Sequence, residues 1–316
     1  MKLHYGLDNF RVERPVVTIG TFDGVHLGHR EVIAELQRIS GMTGGESVVF
    51  TFSPHPRMVV TPNDDSIRLL TTLEEKAVLL EELGLDHLVI YPFTREFAAL
   101  SYADFVRDIL VGQMHLCKLV TGYDHKFGHD RQGDFHSLQL LGREFDFEVE
   151  QLNPLLVENV AVSSTKIRQA LEAGDIRRAN HFLGSSYLLK GKVVKGKRLG
   201  RQLGFPTANI LPDDRHKLVP TDGVYAVFVK IAGVQYRGML NVGTRPTVNS
   251  NVDHRSIEVH IFDFDLDIYD ADISISFVER IRDEEKFESL SQLKEQLIKD
   301  KVRTLSIFAN LSNKNN

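Results

Sequence analysis

The sequence has little sulfur chemistry and no tryptophan: one cysteine, Cys117, stands among 316 residues. A single thiol excludes an intramolecular disulfide framework and multi-cysteine zinc sites, and it suits a reducing compartment. No apolar run is long enough to cross a bilayer, and the first 15 residues lack the apolar segment of a signal peptide. We therefore expect a cytoplasmic protein without a membrane partner.

An excess of basic residues is also absent. The chain has 38 Lys and Arg against 43 Asp and Glu, a formal net charge of -5. No overall positive field attracts nucleic acid, so we expect no nucleic-acid partner. Hydrophobic residues make up 42% and charged residues 26%, which is ordinary for a globular protein. The length suggests about two domains, and we expect a monomer or a weak homo-oligomer.

The first half of the chain alternates between strand-like and helix-like segments. Apolar runs predict strands at 15–20, 46–52, 87–93, 117–123 and 145–152. Helical spacing of apolar residues predicts helices at 29–39, 71–84 and 101–113. This alternation predicts an α/β domain with an open, doubly wound parallel sheet. Ligands of such sheets bind outside the carboxyl ends of the strands.

The second half has a different rhythm. Residues 163–184 predict one or two helices, and β-rich segments separated by turns follow. These segments predict an antiparallel barrel or sandwich, and residues 289–308 predict a terminal amphipathic helix. We place the domain boundary near residue 184, which gives domains 1–184 and 185–316.

Residues 20–29, GTFDGVHLGH, directly follow the first predicted strand. Exposed backbone amides at a helix N-terminus bind anions, and glycines let the backbone approach a ligand closely. His26 and His29 are three residues apart, so one helical turn places both on one side. Two imidazoles there can donate hydrogen bonds to phosphate oxygens and stabilise charge that builds during attack at phosphorus.

This stretch resembles the signature of the nucleotidyltransferase superfamily. Its F-D-G-V-H form is similar to the adenylyltransferase module of bacterial bifunctional riboflavin kinase/FAD synthetases. Three more stretches match that family in order: TFSPHP at 51–56, GYDHKFGHDRQGD at 122–134 and VSSTKIRQAL at 162–171. The resemblance implies a Rossmann-like domain that transfers the adenylyl group of ATP to FMN and releases pyrophosphate.

The same resemblance implies site residues. Catalytic roles fall to His26, His29 and Arg168, and ATP contacts to Gly20, Phe22, Asp23, Gly24, His26, His29, Ser163, Ser164, Thr165 and Arg168. Flavin contacts fall to Pro54, His55, Asp124 and Phe127. From the residues alone, the proline pair also fits a rigid turn, residues 122–134 a solvated loop, and residues 163–165 a helix cap.

A second glycine-rich region begins at residue 191. GKVVKGKR at 191–198 nearly matches a P-loop, but Arg198 stands where that pattern needs Ser or Thr, so we reject it. The longer stretch GKRLGRQLGFPTANI at 196–210 resembles the riboflavin kinase signature. The resemblance implies ATP contacts from Gly196, Lys197, Arg198, Gly200, Arg201, Gly204, Pro206, Thr207 and Asn209.

Thr207 and Asn209 are two residues apart, so an extended segment turns both side chains to the same side. Their hard oxygen atoms, together with a nucleotide phosphate, suit Mg²⁺. We therefore expect these two residues to form the metal site.

The segment SIEVHIFDF at 256–264 alternates, with Glu258 and His260 on one face and apolar residues on the other. We expect Glu258 on the interior of the barrel, where a carboxylate is costly unless it has a function or a partner. The resemblance implies that Glu258 is the catalytic base that activates the ribityl 5′-hydroxyl of riboflavin for attack on the γ-phosphorus of ATP.

Together these motifs predict a bifunctional enzyme that uses ATP and Mg²⁺ to convert riboflavin to FMN and FMN to FAD. Two alternatives stay open. One is a nucleotidyltransferase for another phosphorylated metabolite, and the other is a catalytically inactive flavin-binding regulator.

Overall fold

The computed structural model describes residues 1–314 except 63, 65, 124–126, 130–131, 154, 158–159, 197–198 and 246–253. The chain divides into two compact units, Met1–Ser163 and Ser164–Asn316. Within the described ranges, every helix is too short or too polar to span a bilayer.

The first unit is built on a parallel sheet of six strands in the order β1-β4-β3-β2-β5-β6. The strands are β1 (Lys2–Tyr5), β2 (Val16–Ile19), β3 (Ser47–Ser53), β4 (His87–Pro92), β5 (Lys118–Gly122) and β6 (Glu148–Leu152). All five predicted strands are present. The sequence analysis missed β1, whose four residues carry too few apolar side chains to stand out.

Helices connect these strands. They are α1 (Leu27–Thr43), α2 (Pro56–Val60), α3 (Leu73–Glu82), α4 (Arg95–Ala98), α5 (Tyr102–Asp104), which continues as a π-helix at Phe105–Val111, and α6 (Phe135–Phe145). The three predicted helices are confirmed, whereas α2, α4 and α6 were not predicted. Thr72 and Glu75 form the capping box that begins α3. A small hairpin, β7 (Leu156–Val157) and β8 (Val160–Ala161), ends the unit.

The order of the strands reverses at β2, because β3 lies on one side of it and β5 on the other. The pairing of β2 with β5 joins Val16 to Lys118 and Val17 to Leu119, near the amino ends of both strands. Beyond Val17 the two strands separate. Their carboxyl ends therefore flank the crevice where doubly wound sheets bind ligands.

Two helices follow the sheet in the chain and belong to the second compact unit: α7 (Ser164–Glu172) and α8 (Ile176–Leu183). Gly184 ends α8 in a left-handed conformation, as the sequence predicted. Asn180 donates a hydrogen bond to the carbonyl of Phe277 and accepts one from the amide of Tyr187. These two bonds join α8 to the barrel of the same unit. The compact units thus divide at 163/164, and the boundary near 184 stays a prediction.

The second unit is a closed barrel in the strand order β10-β13-β12-β11-β14-β9. Its strands are β9 (Tyr187–Val194), β10 (Ala208–Pro212), β11 (Gly223–Ile231), β12 (Val234–Arg245), β13 (His254–Ile261) and β14 (Asp272–Arg282), with the helical turn α9 (Leu199–Gln202) before β10. All pairings are antiparallel. Of the two predicted architectures, an antiparallel barrel or a sandwich, the structure therefore shows the barrel.

The predicted terminal helix is present as α10 (Leu290–Lys314) and packs on the outside of the barrel. Phe308 lies against Phe228 with ring centroids 4.8 Å apart. A buried ion pair fixes the helix: Arg282 donates two hydrogen bonds to Asp300, at 2.8 and 3.0 Å. Asp300 is 1% exposed, so the pair is sheltered from water.

We predict that Asp300→Asn destabilises the barrel unit by about 3 kcal/mol, because it leaves the Arg282 guanidinium without its buried countercharge. Urea unfolding followed by circular dichroism measures the effect. Asp272→Asn is the matched control, since the pair Lys192–Asp272 is mostly exposed (62% and 85%) and is worth less than about 1 kcal/mol. Equal small losses in both variants would contradict the prediction.

Candidate active sites

The first site is the loop between β2 and α1, at the mouth of the crevice. Phe22, Gly24 and Val25 adopt left-handed backbone conformations, with φ of 47°, 92° and 40°. For Phe and Val this conformation is strained and persists only where the surroundings enforce it. Gly20 is needed for space, because a Cβ there would lie 3.1 Å from the Phe22 ring.

Asp23 fixes this loop from within. Its carboxylate accepts hydrogen bonds from the amides of Leu70 (2.9 Å) and Thr71 (3.0 Å), and it is 3% exposed. The Thr71 hydroxyl in turn accepts the amide of Gly24 at 3.0 Å. Asp23 thus joins the loop to the segment before α3. Its predicted contact with ATP stays a prediction.

His26 caps the N-terminus of α1. Its Nδ1 accepts the backbone N–H of His29 at 3.3 Å, so the proton of the neutral ring is on Nε2. The two imidazoles stack at 3.6 Å between centroids and 14° between planes. Gly28 permits this arrangement, since a Cβ there would lie 3.3 Å from the His26 ring. The expected placement of both histidines on one side of the helix start is confirmed.

The pKa of His29 lies well below 6.5, first because the ring is desolvated and then because His26 and Lys76 add positive charge nearby. The ring also contacts Phe22, with centroids 4.8 Å apart. His29 is therefore a neutral imidazole near pH 7. It can offer phosphate a hydrogen bond but no charge.

Two buried polar atoms near this crevice have no hydrogen-bond partner among the residues that the structure describes: Nδ1 of His29 and Oγ1 of Thr121. Thr121 lies near the carboxyl end of β5 and is 1% exposed. Buried polar atoms are nearly always paired, so both are candidates to contact a ligand. The sequence analysis missed Thr121, because a threonine inside an apolar strand carries no signal of its own.

The residues predicted to contact flavin differ in their exposure and in their surroundings. Pro54 is exposed, and His55 caps α2 by accepting the amide of Arg57 at 3.3 Å. Phe127 is 8% exposed and packs among core aromatics, 6.1 Å from Phe105 between centroids. Asp124 lies outside the described residues. Flavin contact stays a prediction for all four.

The last predicted ATP segment begins a helix. Ser163 directly precedes α7, whereas Ser164, Thr165 and Arg168 lie within its first turns. The expected helix start and the position of Arg168 one turn inside are confirmed. Contact of these residues with ATP phosphates stays a prediction.

The second site lies where β10 and β13 pair. The Thr207 hydroxyl donates to Oε2 of Glu258 at 3.2 Å, and Asn209 stands opposite Glu258 in the ladder. Asn241 of β12 stands opposite Glu258 on the other side. Because directly opposed residues share a face, the two amides flank the carboxylate. A Cβ on Gly196 would overlap the Asn209 carboxamide, so this glycine makes room for it.

The expectation that Glu258 faces the barrel interior is wrong. The alternation is present, but Ile257, Val259 and Ile261 are the buried side chains, at 4%, 0% and 6% exposure. They fill the interior, so Glu258 projects from the outer face, where it is half-buried. The alternation of side chains separates the two faces of a strand but does not say which face lies inside. In the closed barrel the apolar face of β13 lies inside.

The glycine-rich stretch before β10 forms a tight turn. Phe205 donates its amide to the Gly200 carbonyl at 2.9 Å, and Gly204 has a φ of 82° that favours glycine. Arg201, Pro206 and Thr207 line a cleft of about 420 Å³. Lys197 and Arg198 lie outside the described residues.

His260 belongs to this site, although the sequence analysis assigned it no role. Its Nδ1 lies 2.8 Å from the Pro206 carbonyl, which can only accept, so Nδ1 carries the proton. Burial lowers the pKa of His260, and its ring packs against Phe205 at 5.2 Å between centroids. His260 therefore holds the segment that carries Thr207 over β13.

The residues predicted to bind Mg²⁺ fit that ion. The Thr207 hydroxyl and the Asn209 carboxamide offer neutral hard oxygens beside the Glu258 carboxylate. The described residues contain no cluster of three His, Cys, Asp or Glu side chains suited to a metal. Magnesium retains water and phosphate oxygens as ligands, so two protein oxygens are compatible with it.

Comparison with known proteins finds a family match for each half of the chain. The family model "FAD synthetase" matches residues 10–166, and the model "Riboflavin kinase" matches residues 183–308. The bifunctional riboflavin kinase/FMN adenylyltransferase of Escherichia coli K12 is 38% identical over 98% of both chains. The chain belongs to the bifunctional riboflavin kinase/FMN adenylyltransferase family. The members from Pseudomonas fluorescens and Bacillus subtilis are 39% and 37% identical, over 98% and 94% of both chains.

A solved structure with the same fold bears a different title. It is described as a macrolide-efflux protein from Streptococcus pneumoniae, and it matches 96% of this chain and 98% of its own with a TM-score of 0.87 and 32% identity. The family assignment confirms the resemblance seen in the sequence and the two-part fold class, a Rossmann-like α/β domain followed by a β-barrel.

The lowered pKa of His29 predicts a loss of stability in acid. The unfolded chain takes up the proton near pH 6.5, whereas the folded chain does so only at lower pH, so stability falls as pH drops below about 7. Between pH 7.5 and 5.5 the loss from this residue is about 1 kcal/mol. Urea-unfolding midpoints at the two pH values measure it.

The control is His29→Phe, which should reduce the dependence on pH without removing it. Burial also lowers the pKa values of His4 and His260, so they supply the remainder. An unchanged dependence in His29→Phe would show that His29 titrates normally in the folded protein.

Proposed function

We propose that this chain phosphorylates riboflavin to FMN at the barrel site and adenylylates FMN to FAD at the sheet site. The supporting observation is that the FAD synthetase match, residues 10–166, covers most of the first compact unit and the start of α7, whereas the riboflavin kinase match, residues 183–308, lies within the second unit. The substrates are riboflavin, FMN and ATP. We place the enzyme in the cytoplasm, which its single cysteine suits.

In the kinase reaction, Glu258 is the general base. It takes the proton of the ribityl 5′-hydroxyl while that oxygen attacks the γ-phosphorus of ATP and ADP leaves. The Thr207 hydroxyl donates to one carboxylate oxygen of Glu258 and so orients the other toward the substrate. The outer face of the barrel suits this role, because a half-buried carboxylate there stays reachable for a substrate.

Thr207 and Asn209 would hold Mg²⁺, which supplies charge neutralisation for the ATP phosphates. His260 fixes the backbone at Pro206 and thereby the approach of Thr207. Arg201, from the tight turn at Gly200–Gly204, lines the cleft and offers a positive charge to phosphate.

In the adenylyl transfer, a phosphate oxygen of FMN attacks the α-phosphorus of ATP and pyrophosphate leaves. No proton has to be removed from a phosphate dianion, so no general base is required. The N-terminal amides of α1 and the imidazoles of His26 and His29 donate hydrogen bonds to oxygens that gain charge in the transition state. Catalysis then rests on positioning and on these donors.

The test is incubation of the full chain with riboflavin, ATP and Mg²⁺, with the flavins separated by chromatography. Successive appearance of FMN and FAD supports the proposal. Bound but unchanged riboflavin would favour the flavin-binding regulator, and FMN as the final product would leave the adenylyltransferase assignment unsupported.

We predict that Glu258→Gln lowers FMN formation by at least about 100-fold, because the amide cannot accept the hydroxyl proton. Conversion of added FMN to FAD should be unchanged, and this serves as the internal control. Glu295→Gln, on the exposed face of α10, is the matched control and should leave both steps intact. Parallel loss of both activities in Glu258→Gln would contradict separate sites.

We predict the reverse for His29→Ala. FAD formation from FMN should fall by about 100-fold, because a preorganised hydrogen-bond donor is lost, and FMN formation should persist. His115→Ala is the control, since His115 is exposed before β5. Full FAD formation in His29→Ala would remove this histidine from the mechanism.

A further inference from the structure

Lys76 is a buried charge that the predicted motifs do not include. It lies in the first half of α3 and is 7% exposed. Burial lowers its pKa from 10.5 to about 8, and the nearby Asp23 opposes part of that change. The side chain is therefore still mainly an ammonium at pH 7. Burying an ammonium is costly, so a lysine at this position is better explained by function than by stability.

The hydrogen bonds of Lys76 lead to the loop between β2 and α1, residues 20–26, which we call the nucleotide loop. Its Nζ lies 3.4 Å from the hydroxyl of Thr51, a fully buried residue of β3. An ammonium can only donate, so the Thr51 hydroxyl accepts from Lys76 and keeps its own proton for another partner. That partner is the carbonyl of Thr21, also at 3.4 Å.

Thr21 directly precedes the left-handed residues of the loop. The hydrogen bonds from Lys76 to Thr51 and from Thr51 to Thr21 thus end next to Phe22, whose backbone conformation is strained. Asp23 holds the same loop from the other side through Leu70 and Thr71. Lys76, through Thr51 of β3, holds the loop from the opposite side.

Lys76 also acts on the histidine pair by charge. The groups that face His29 are His26 from the start of α1 and Lys76 from α3, and both disfavour its protonation. Asp23, on the loop itself, interacts with Lys76. Lys76 therefore helps to keep His29 neutral.

We propose that Lys76 is a positioning residue for adenylyl transfer, acting through Thr51 on the nucleotide loop and through its charge on His29. This inference rests on the proposed function of the sheet site, and it adds a residue that the family motifs in the sequence do not contain.

The experiment compares Lys76→Met, Thr51→Val and the double variant in the full chain. FMN conversion to FAD is assayed with saturating ATP and Mg²⁺, and riboflavin phosphorylation serves as the internal control. Each single variant should lower kcat by about tenfold or more, since small displacements of a positioning group have effects of this size. The double variant should lose no more than the worse single variant, because both act in one chain of contacts.

A second measurement separates charge from packing. Removing the Lys76 charge should raise the pKa of His29, so the acid limb of kcat/KM for FMN should move to higher pH in Lys76→Met. It should not move in Thr51→Val, which keeps the charge. Lys2→Met, an exposed lysine of β1, is the control and should change none of these quantities.

Several outcomes overturn the proposal. They are an unchanged kcat in Lys76→Met, multiplicative losses in the double variant, and an acid limb that does not move. If Lys76→Met fails to fold, a normal kcat in Thr51→Val is enough to overturn it. Absence of FAD formation by the unmodified chain is a different result, which refutes the proposed function rather than the role of Lys76.

Discussion

The hydrogen bonds of one buried carboxylate, that of Asp23, are the constraint on which the sheet site depends. Phe22 and Val25 hold backbone conformations that an isolated chain avoids. The amides of Leu70 and Thr71 enforce them through Asp23. Without this contact the loop would relax, and the start of α1 with His26 would turn away from the crevice. The position of the histidines is therefore a consequence of a contact that contains neither of them.

The barrel site follows the same principle with other groups. An irregular segment carries the ligand-facing residues, and a side chain from a neighbouring strand holds it in place. Here His260 of β13 donates to the Pro206 carbonyl, and Thr207 then meets Glu258. In both sites a hydrogen bond from a distant segment fixes the irregular stretch beside the residues with chemical roles.

Sequence reasoning succeeded where the signal is local. The apolar runs of β2 and β3 and the helical spacing of α1 and α3 each act within a few residues, and all four elements are present. It failed where the decisive partner is distant. Asp23 meets Leu70 across 47 residues and His260 meets Pro206 across 54, and no periodicity encodes such pairs. The face of Glu258 was misjudged for the same reason, since only the closed barrel decides which side of β13 is inside.

The charges of the two sites explain how a chain with a net charge of -5 can serve polyphosphate substrates. A long-range attractive field is absent, so recognition has to be built at short range from oriented donors. His29 can supply such a donor without charge, because burial lowers its pKa, whereas His260 uses its Nδ1 proton to hold the Pro206 carbonyl. Lys76 adds one buried positive charge beside the histidine pair, where desolvation makes its field strong. The sheet site thus depends on local donors and one nearby buried charge, and the small net charge of the whole chain does not decide its affinity for phosphates.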